Sequence, residues 1–156
     1  MKAKYTRCPS QLGYNDNGSI NNAYGLMSTR TEYWGTTGLF TGSAGNNAWF
    51  IMKNIGPKHI MLSDSGVYSS TTGKINDFSI FKPTDSGVSS RGKFWMKHNG
   101  RCNVAFGDGH VKIVSPGEAA VDMRGHLLAA KAIESGTQVS TYYYLKHGTQ
   151  KVVKIK

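Results

Sequence analysis

KHNGRCNVAFGDGHVKIV, residues 97–114, is the stretch whose reading decides the fold. His98 is followed, after nine intervening residues, by Asp108-Gly109 and then directly by His110. Two histidines and a carboxylate at this spacing are either converging catalytic or metal-binding groups, or the frame of a β-meander. Register separates the two readings. Side chains alternate between the faces of a strand, so a shared apolar face fixes how neighbouring strands align. Cys102, Val104 and Phe106 share a face. A three-residue turn at Asn99-Gly100-Arg101, with Gly100 supplying φ > 0, sets Phe94, Met96 and His98 opposite Phe106, Val104 and Cys102. A four-residue turn at Gly107-Asp108-Gly109-His110 sets Val111 opposite Phe106 and Ile113 opposite Val104. The apolar positions and Cys102 then fall on one face. His98 and Asp108 stand at opposite ends of it, about 13 Å apart for four residues at ~3.3 Å each. That separation is too large for a shared metal or proton. Asp108 reads as a turn former between two glycines, and His98 as a half-buried sheet residue with a hydrogen-bond partner.

Working outward, TDSGVSSRG (84–92) is a loop and DFSIF (77–81) a half-buried strand, since Phe78 and Ile80 alternate with Ser79. KHIMLSDS (58–65) reads as a buried strand bounded by Pro57 and the Asp64-Ser65-Gly66 turn. Residues 8–50 are dominated by turns between short aromatic runs, and AWFIMKNI (48–55) suits a short helix or a strand. Toward the C-terminus, Ser115 is an N-cap, Pro116 occupies the first helical position and Glu118 completes a capping box. Ala119, Ala120, Met123, Leu127, Leu128, Ala130 and Ile133 form an apolar stripe, with Gly136 as the stop. Two β-type runs around His147-Gly148 then predict a hairpin. The expected fold is α+β: an antiparallel sheet containing 93–98, 102–106 and 111–114, with a C-terminal helix and hairpin. Residues 1–114 form the globular domain, and 115–156 an extension packed on it.

Composition agrees with many short strands and turns. The 156 residues include 19 Gly and 8 Tyr, and only 18% are charged. The formal net charge of +10 favours polyanionic neighbours such as nucleic acid or an anionic cell surface. Cys8 and Cys102 are too few for a disulfide framework or a zinc cluster. Either they pair, closing a loop worth roughly 4–5 kcal/mol in the entropy model, or Cys102 is a buried free thiol. No stretch approaches the ~20 apolar residues of a membrane helix, and MKAKYTRCPS lacks the apolar core of a signal peptide.

His98, the nine-residue interval and Asp108-Gly109-His110 within NVAFGDGHV resemble the signature of prepilin-type proteins with the H-x9-D-G motif. CPS (8–10), with Cys8 and Pro9, resembles their Cys-Pro-Ser; AYGLM (23–27) and IGPKHIMLSDS (55–65) resemble further segments, in the same order. The resemblance spans most of 8–114, and its motif positions are His98, Gly100, Asp108, Gly109 and His110. It implies a pilin-like globular head of a pseudopilin, type IV pilus or type II secretion assembly, extracellular or on the cell surface. The partners it implies are other copies of the chain or other pilin-like subunits. The long apolar N-terminal helix of such proteins has no counterpart in these 156 residues, and 115–156 go beyond the family pattern.

Other chemistries leave weaker traces. Arg91, Lys93, Lys97, Arg101 and Lys112 around Trp95, with Lys146, Lys151, Lys154 and Lys156 in the tail, suggest contact with nucleic acid or another anionic polymer. Asp16, Asp64 and Asp85 lie in loops of a kind that hold calcium, without the spacing of a calcium motif; Asp64 is the candidate, and no other cofactor is expected. No nucleophile elbow or zincin motif occurs, so no enzyme is expected. Finally, the face built from Phe94, Met96, Val104, Phe106, Val111 and Ile113 needs a cover. The chain's own helix can supply it. Alternatively a neighbouring subunit does, with Val152, Val153 and Ile155 of KVVKIK adding a strand to that neighbour's open edge. The sequence favours self-assembly.

Overall fold

The computed structural model describes residues 24–27, 33, 40–41, 49–50, 54–78, 80–87 and 92–156. In chain order these form β1 (Tyr24–Met27), β2 (Phe40–Thr41), β3 (Trp49–Phe50), β4 (Ile60–Ser69), β5 (Lys74–Asp77) and β6 (Ile80–Phe81). There follow β7 (Lys93–Met96), β8 (Cys102–Phe106), β9 (Val111–Val114), helix α1 (Pro116–Ala129), β10 (Val139–Leu145) and β11 (Lys151–Ile155). No helix among the described residues is long and apolar enough to cross a membrane.

The ten-residue β4 is the spine. Its first half pairs antiparallel with β1 (Tyr24 opposite Asp64) and with β8 (Ser63 opposite Val104). Its second half pairs antiparallel with β5 (Gly66 opposite Asp77) and with β7 (Ser65 opposite Phe94). β7 and β8, consecutive in the chain, therefore each pair with β4 rather than with each other. This corrects the expected hairpin of 93–98 with 102–106. The expected all-antiparallel sheet is also corrected: β10 runs parallel to β7 and β6 parallel to β1, giving a curled, mixed sheet in an α+β fold. The C-terminal residues are built into that sheet, whose order includes β11-β10-β7-β4-β1-β6.

Both loops flanking β8 are one residue shorter than expected. Asn99 and Gly100 have φ of 53° and 78°, and His98 and Arg101 exchange backbone hydrogen bonds around them. This is a two-residue turn of type I′, whose signature is the Asn-Gly pair itself. It sets His98 opposite Arg101, not Cys102. At the other end Phe106 and His110 close a three-residue loop, Gly107-Asp108-Gly109, with Gly109 at φ 90°. A type I turn followed by a left-handed glycine matches that pattern. β9 thereby shifts by one: Val111 faces Ala105, Ile113 faces Asn103, and Val114 faces Cys102. A one-residue slip exchanges the faces of a strand. Val111 and Ile113 end up 62% and 60% exposed, whereas Phe94, Met96, Cys102 and Val104 are fully buried.

The buried face is covered from within. α1 starts as its sequence dictates: Ser115 Oγ accepts from Glu118 N, and Glu118 Oε2 accepts from Ser115 N at 2.7 Å. Ala119, Ala120, Met123, His126 and Leu127 point inward, and Ala119, Met123 and Leu127 share one core with Phe94, Met96, Val104, Phe106 and Val114. The helix stops at Ala129, before Gly136. Lys131 takes φ 53°, Lys131 N donates to Leu128 O, and Ala132 N donates to Leu127 O at 2.8 Å. This is a Schellman-type end with lysine where glycine is usual. Of the two covers considered for the sheet, the chain's own helix is the one in place.

Candidate functional site

His98 and Asp108 of the H-x9-D-G motif do not converge; they lie at the two ends of β8, each in its own cluster. At the far end, Asp108 Oδ1 accepts from His110 N at 3.1 Å and lies 2.5 Å from His110 Nδ1. These hydrogen bonds, the backbone one first, hold the Asp108 carboxyl below the usual carboxylate range. The His110 ring stacks on Phe106, with centroids 4.3 Å apart, and both Asp108 and His110 are exposed. Gly107 N donates to His59 O. The arrangement pins a turn.

The near end is different. Where β4 passes from β8 to β7 as its neighbour, Asp64 is buried completely. Its Oδ2 accepts from Asn103 N at 2.7 Å and Asn103 Nδ2 at 3.1 Å, and His98 Nε2 stands 3.2 Å away. Its Oδ1 lies 3.3 Å from Lys97 Nζ. The same Nζ is 3.3 Å from Oδ1 of Asp77, at the end of β5, and 4.9 Å from the centroid of the Trp95 ring. Lys97 and the two aspartates have side chains 5% or less exposed. The Asn103 backbone N–H thus donates to a side-chain carboxylate at the point where the two strands part company. Burial raises Asp77, offset by the charge of Lys97 and its hydrogen bond, while nearby Asp64 raises it further. Cys102 sits beside this cluster, its thiol free; burial pushes it far up, and the Asp64 charge adds to that. It is no thiolate nucleophile.

The sequence expects a partner for His98 without naming it; the structure places Asp64 there, thirty-four positions away in the chain. Gly100 serves the adjoining turn. Cys8, Pro9, Asp16 and Arg91 lie outside the described residues. Asp64 faces an ammonium, an imidazole and two N–H donors rather than oxygens, the surroundings of an ion-paired carboxylate and not of a calcium ligand. Asp85 turns back on its own loop, accepting from Gly87 N. Among the described residues no group of three or more His, Cys, Asp or Glu is disposed to hold a metal ion.

The basic residues around Trp95 do not make one surface. Lys93 is fully buried, its Nζ donating to Lys82 O at 3.1 Å and to Asp85 O. Trp95 and Lys97 are buried too. Arg101 is exposed, and Lys112 reaches Asp122 of α1 at 3.0 Å. Of the tail residues marked for assembly, Val152 is exposed while Val153 and Ile155 are half-buried on β11, which pairs with β10 of its own chain.

Sequence reasoning missed Asp77, Asn103 and a buried histidine pair. His126 on α1 is fully buried, and its Nδ1 accepts from Ile60 N at 3.0 Å. His59 meets it edge-on with ring centroids 5.9 Å apart. Burial lowers His126 to about 3, with the neighbouring His59 contributing, and burial lowers His59 as well. The signal for His126 was present, since it lies three residues after Met123 and four before Ala130 on the apolar stripe. Compared with family models, curated proteins and solved structures, the chain matches none.

Proposed function

We propose that this protein is a non-catalytic structural subunit of an extracellular or cell-surface assembly of the pilus-like or pseudopilin kind, acting through contacts with further copies of itself or with similar subunits. One observation carries the reading. Val111 and Ile113 stand 62% and 60% exposed on β9, an edge strand whose described partner is β8 alone, and Leu62 lies on the same cross-strand row as Val111 through Ala105. An apolar row beside an open strand edge is a surface that a second chain can extend by strand addition. The H-x9-D-G motif supports the same reading, since His98 meets Asp64 and Asp108 meets His110 within the chain. Light scattering and negative-stain microscopy test it. The expected result is concentration-dependent association of the intact chain, lost in Val111→Lys/Ile113→Lys with the fold retained by circular dichroism. A wild-type chain that stays monomeric at high concentration rejects the reading.

The second reading is a basic surface protein that binds nucleic acid or anionic polysaccharide. It is favoured by the exposed Arg101, Lys146, Lys151, Lys154 and Lys156, in a chain of net charge +10. Binding to DNA or heparin that weakens steeply with added salt, and weakens further in Lys151→Glu/Lys154→Glu, distinguishes it from self-assembly.

A further inference from the structure

We propose that Lys97 and Asp77 are joined by an intramolecular amide cross-link, formed after folding with Asp64 as the proton acceptor. The geometry carries the inference. Lys97 Nζ lies 3.3 Å from Oδ1 of Asp77 and 3.3 Å from Oδ1 of Asp64, and both carboxylates are completely buried. Asp77 Oδ2 is also buried and takes no hydrogen bond among the described residues. Asp64 is held through Oδ2 by Asn103 and His98, which leaves its Oδ1, buried and without a hydrogen bond among the described residues, 3.3 Å from Lys97 Nζ. The indole of Trp95 closes over the ammonium at 4.9 Å.

These are the requirements of a condensation between an amine and a carboxylic acid: the nucleophile and electrophile held in contact, a second carboxylate beside them, and little water. Groups whose reacting atoms are held about 3–3.5 Å apart and aligned can reach effective concentrations on the order of 10⁵ M. Burial raises Asp77 and so favours its neutral acid form, the electrophile. In the step, the Lys97 ammonium gives one proton to the Asp64 carboxylate, and the freed amine attacks the Asp77 carboxyl carbon. The new C–N bond forms as the C–OH bond breaks, and the hydroxide leaves as water with the second proton of the nitrogen. Ammonium, acid and carboxylate become amide, water and acid; charge and atoms balance, and no oxidant or co-reactant is needed. The link would tie β5 to the end of β7 across β4, the strand that both of them pair with.

Intact mass spectrometry of the purified full chain in denaturant is the test. The expected mass is the sequence mass less one water. Tryptic digestion is expected to yield a branched peptide joining the segment of Asp77 to that of Lys97. Lys97→Arg keeps the positive charge among the carboxylates but cannot form the amide, so it is expected to show its full sequence mass, as is Asp77→Ala. A wild-type chain at full sequence mass overturns the proposal, and so does a water loss that persists in Lys97→Arg or maps to other residues. If either variant fails to fold, the branched peptide in the wild-type digest, present or absent, decides alone.

Discussion

The two ends of β8 carry the same motif and are built in opposite ways. At the Asp108 end the hydrogen bonds that the aspartate makes among the described residues are within two residues, and both Asp108 and His110 stand in solvent. At the His98 end, the partners come from β4, β5, β7 and β8 and are enclosed. The first is a matter of turn chemistry, which any chain with this local sequence can enact. The second exists only once the whole sheet has closed around it. A buried ion pair contributes little net stability against an apolar alternative, yet removing one partner strands the other charge in a medium that cannot solvate it. The two ends should therefore respond very differently to the same substitution.

The largest effect is expected at Asp64. Asp64→Ala strips Lys97 and His98 of a carboxylate and leaves the Asn103 amide without its acceptor, so destabilisation of about 3–5 kcal/mol is expected. Asp108→Ala removes an exposed, local contact and should shift the melting temperature far less. Urea unfolding of both variants measures the contrast. Comparable losses would mean that the two ends are not built differently.

The histidine pair extends the comparison to pH. The folded state holds His126 at about 3, below its unfolded value of 6.5, so between these pH values the unfolded chain binds a proton that the folded one refuses. Stability is then present above pH 6.5 and lost as pH falls toward 3, by about 3 kcal/mol at pH 4. A free Asp77 carboxyl acts in the opposite sense, because its raised folded value confers stability at low pH that is lost as pH rises through it, whereas an Asp77 joined to Lys97 as an amide does not titrate. The net expectation is a falling urea midpoint from pH 7 to 4, with a shallower fall in His126→Asn. A slope unchanged in that variant would remove His126 as the cause.

The legible parts of this fold were those settled within a few residues. The Ser115–Glu118 capping box, the inward parity of Cys102, Val104 and Phe106, and the turn role of Asp108 were all readable. Register was not, and the reason is particular. The turns Asn99-Gly100 and Gly107-Asp108-Gly109 are each one residue shorter than their glycine pattern suggests, and each difference moves a strand by one position. Because the apolar run VKIV is apolar on both parities except at Lys112, the pattern of β9 could not correct the slip. The Asp64–Asp77–Lys97 cluster was beyond reach, since nothing local couples positions 64, 77 and 97.

The glycines flanking Asp108 sharpen the local half of the comparison. A Cβ on Gly107 would meet Ile55 Cγ2 at 1.9 Å and Gly56 O at 3.1 Å, whereas one on Gly109 meets nothing within 4 Å but requires φ of 90°. Gly107→Ala is expected to destabilise by about 1–3 kcal/mol through overpacking, and Gly109→Val by a similar amount through backbone strain. Combination with Ile55→Ala tells them apart. The shortened side chain should recover part of the Gly107→Ala loss in a double-mutant cycle and none of the Gly109→Val loss.

The smallest expected effect has the opposite sign and lies at the end of α1. Lys131 occupies the left-handed position of a Schellman-type stop, where the sequence offers no glycine and the helix had been expected to run on to Gly136. Its side chain is exposed, so the requirement that ends the helix here is a backbone one, with Ala130 and Leu127 buried just before it. A lysine with φ of 53° is strained relative to glycine, which adopts that region freely. Lys131→Gly relieves the strain but gives the unfolded chain more freedom to lose on folding. The balance should be a gain of up to about 1 kcal/mol, read as a raised urea midpoint with an unchanged m-value. A loss instead of a gain would mean that the lysine side chain contributes more to the stop than its backbone strain removes. The helix end would then join the Asp64 cluster as a feature set by tertiary contacts rather than by local sequence.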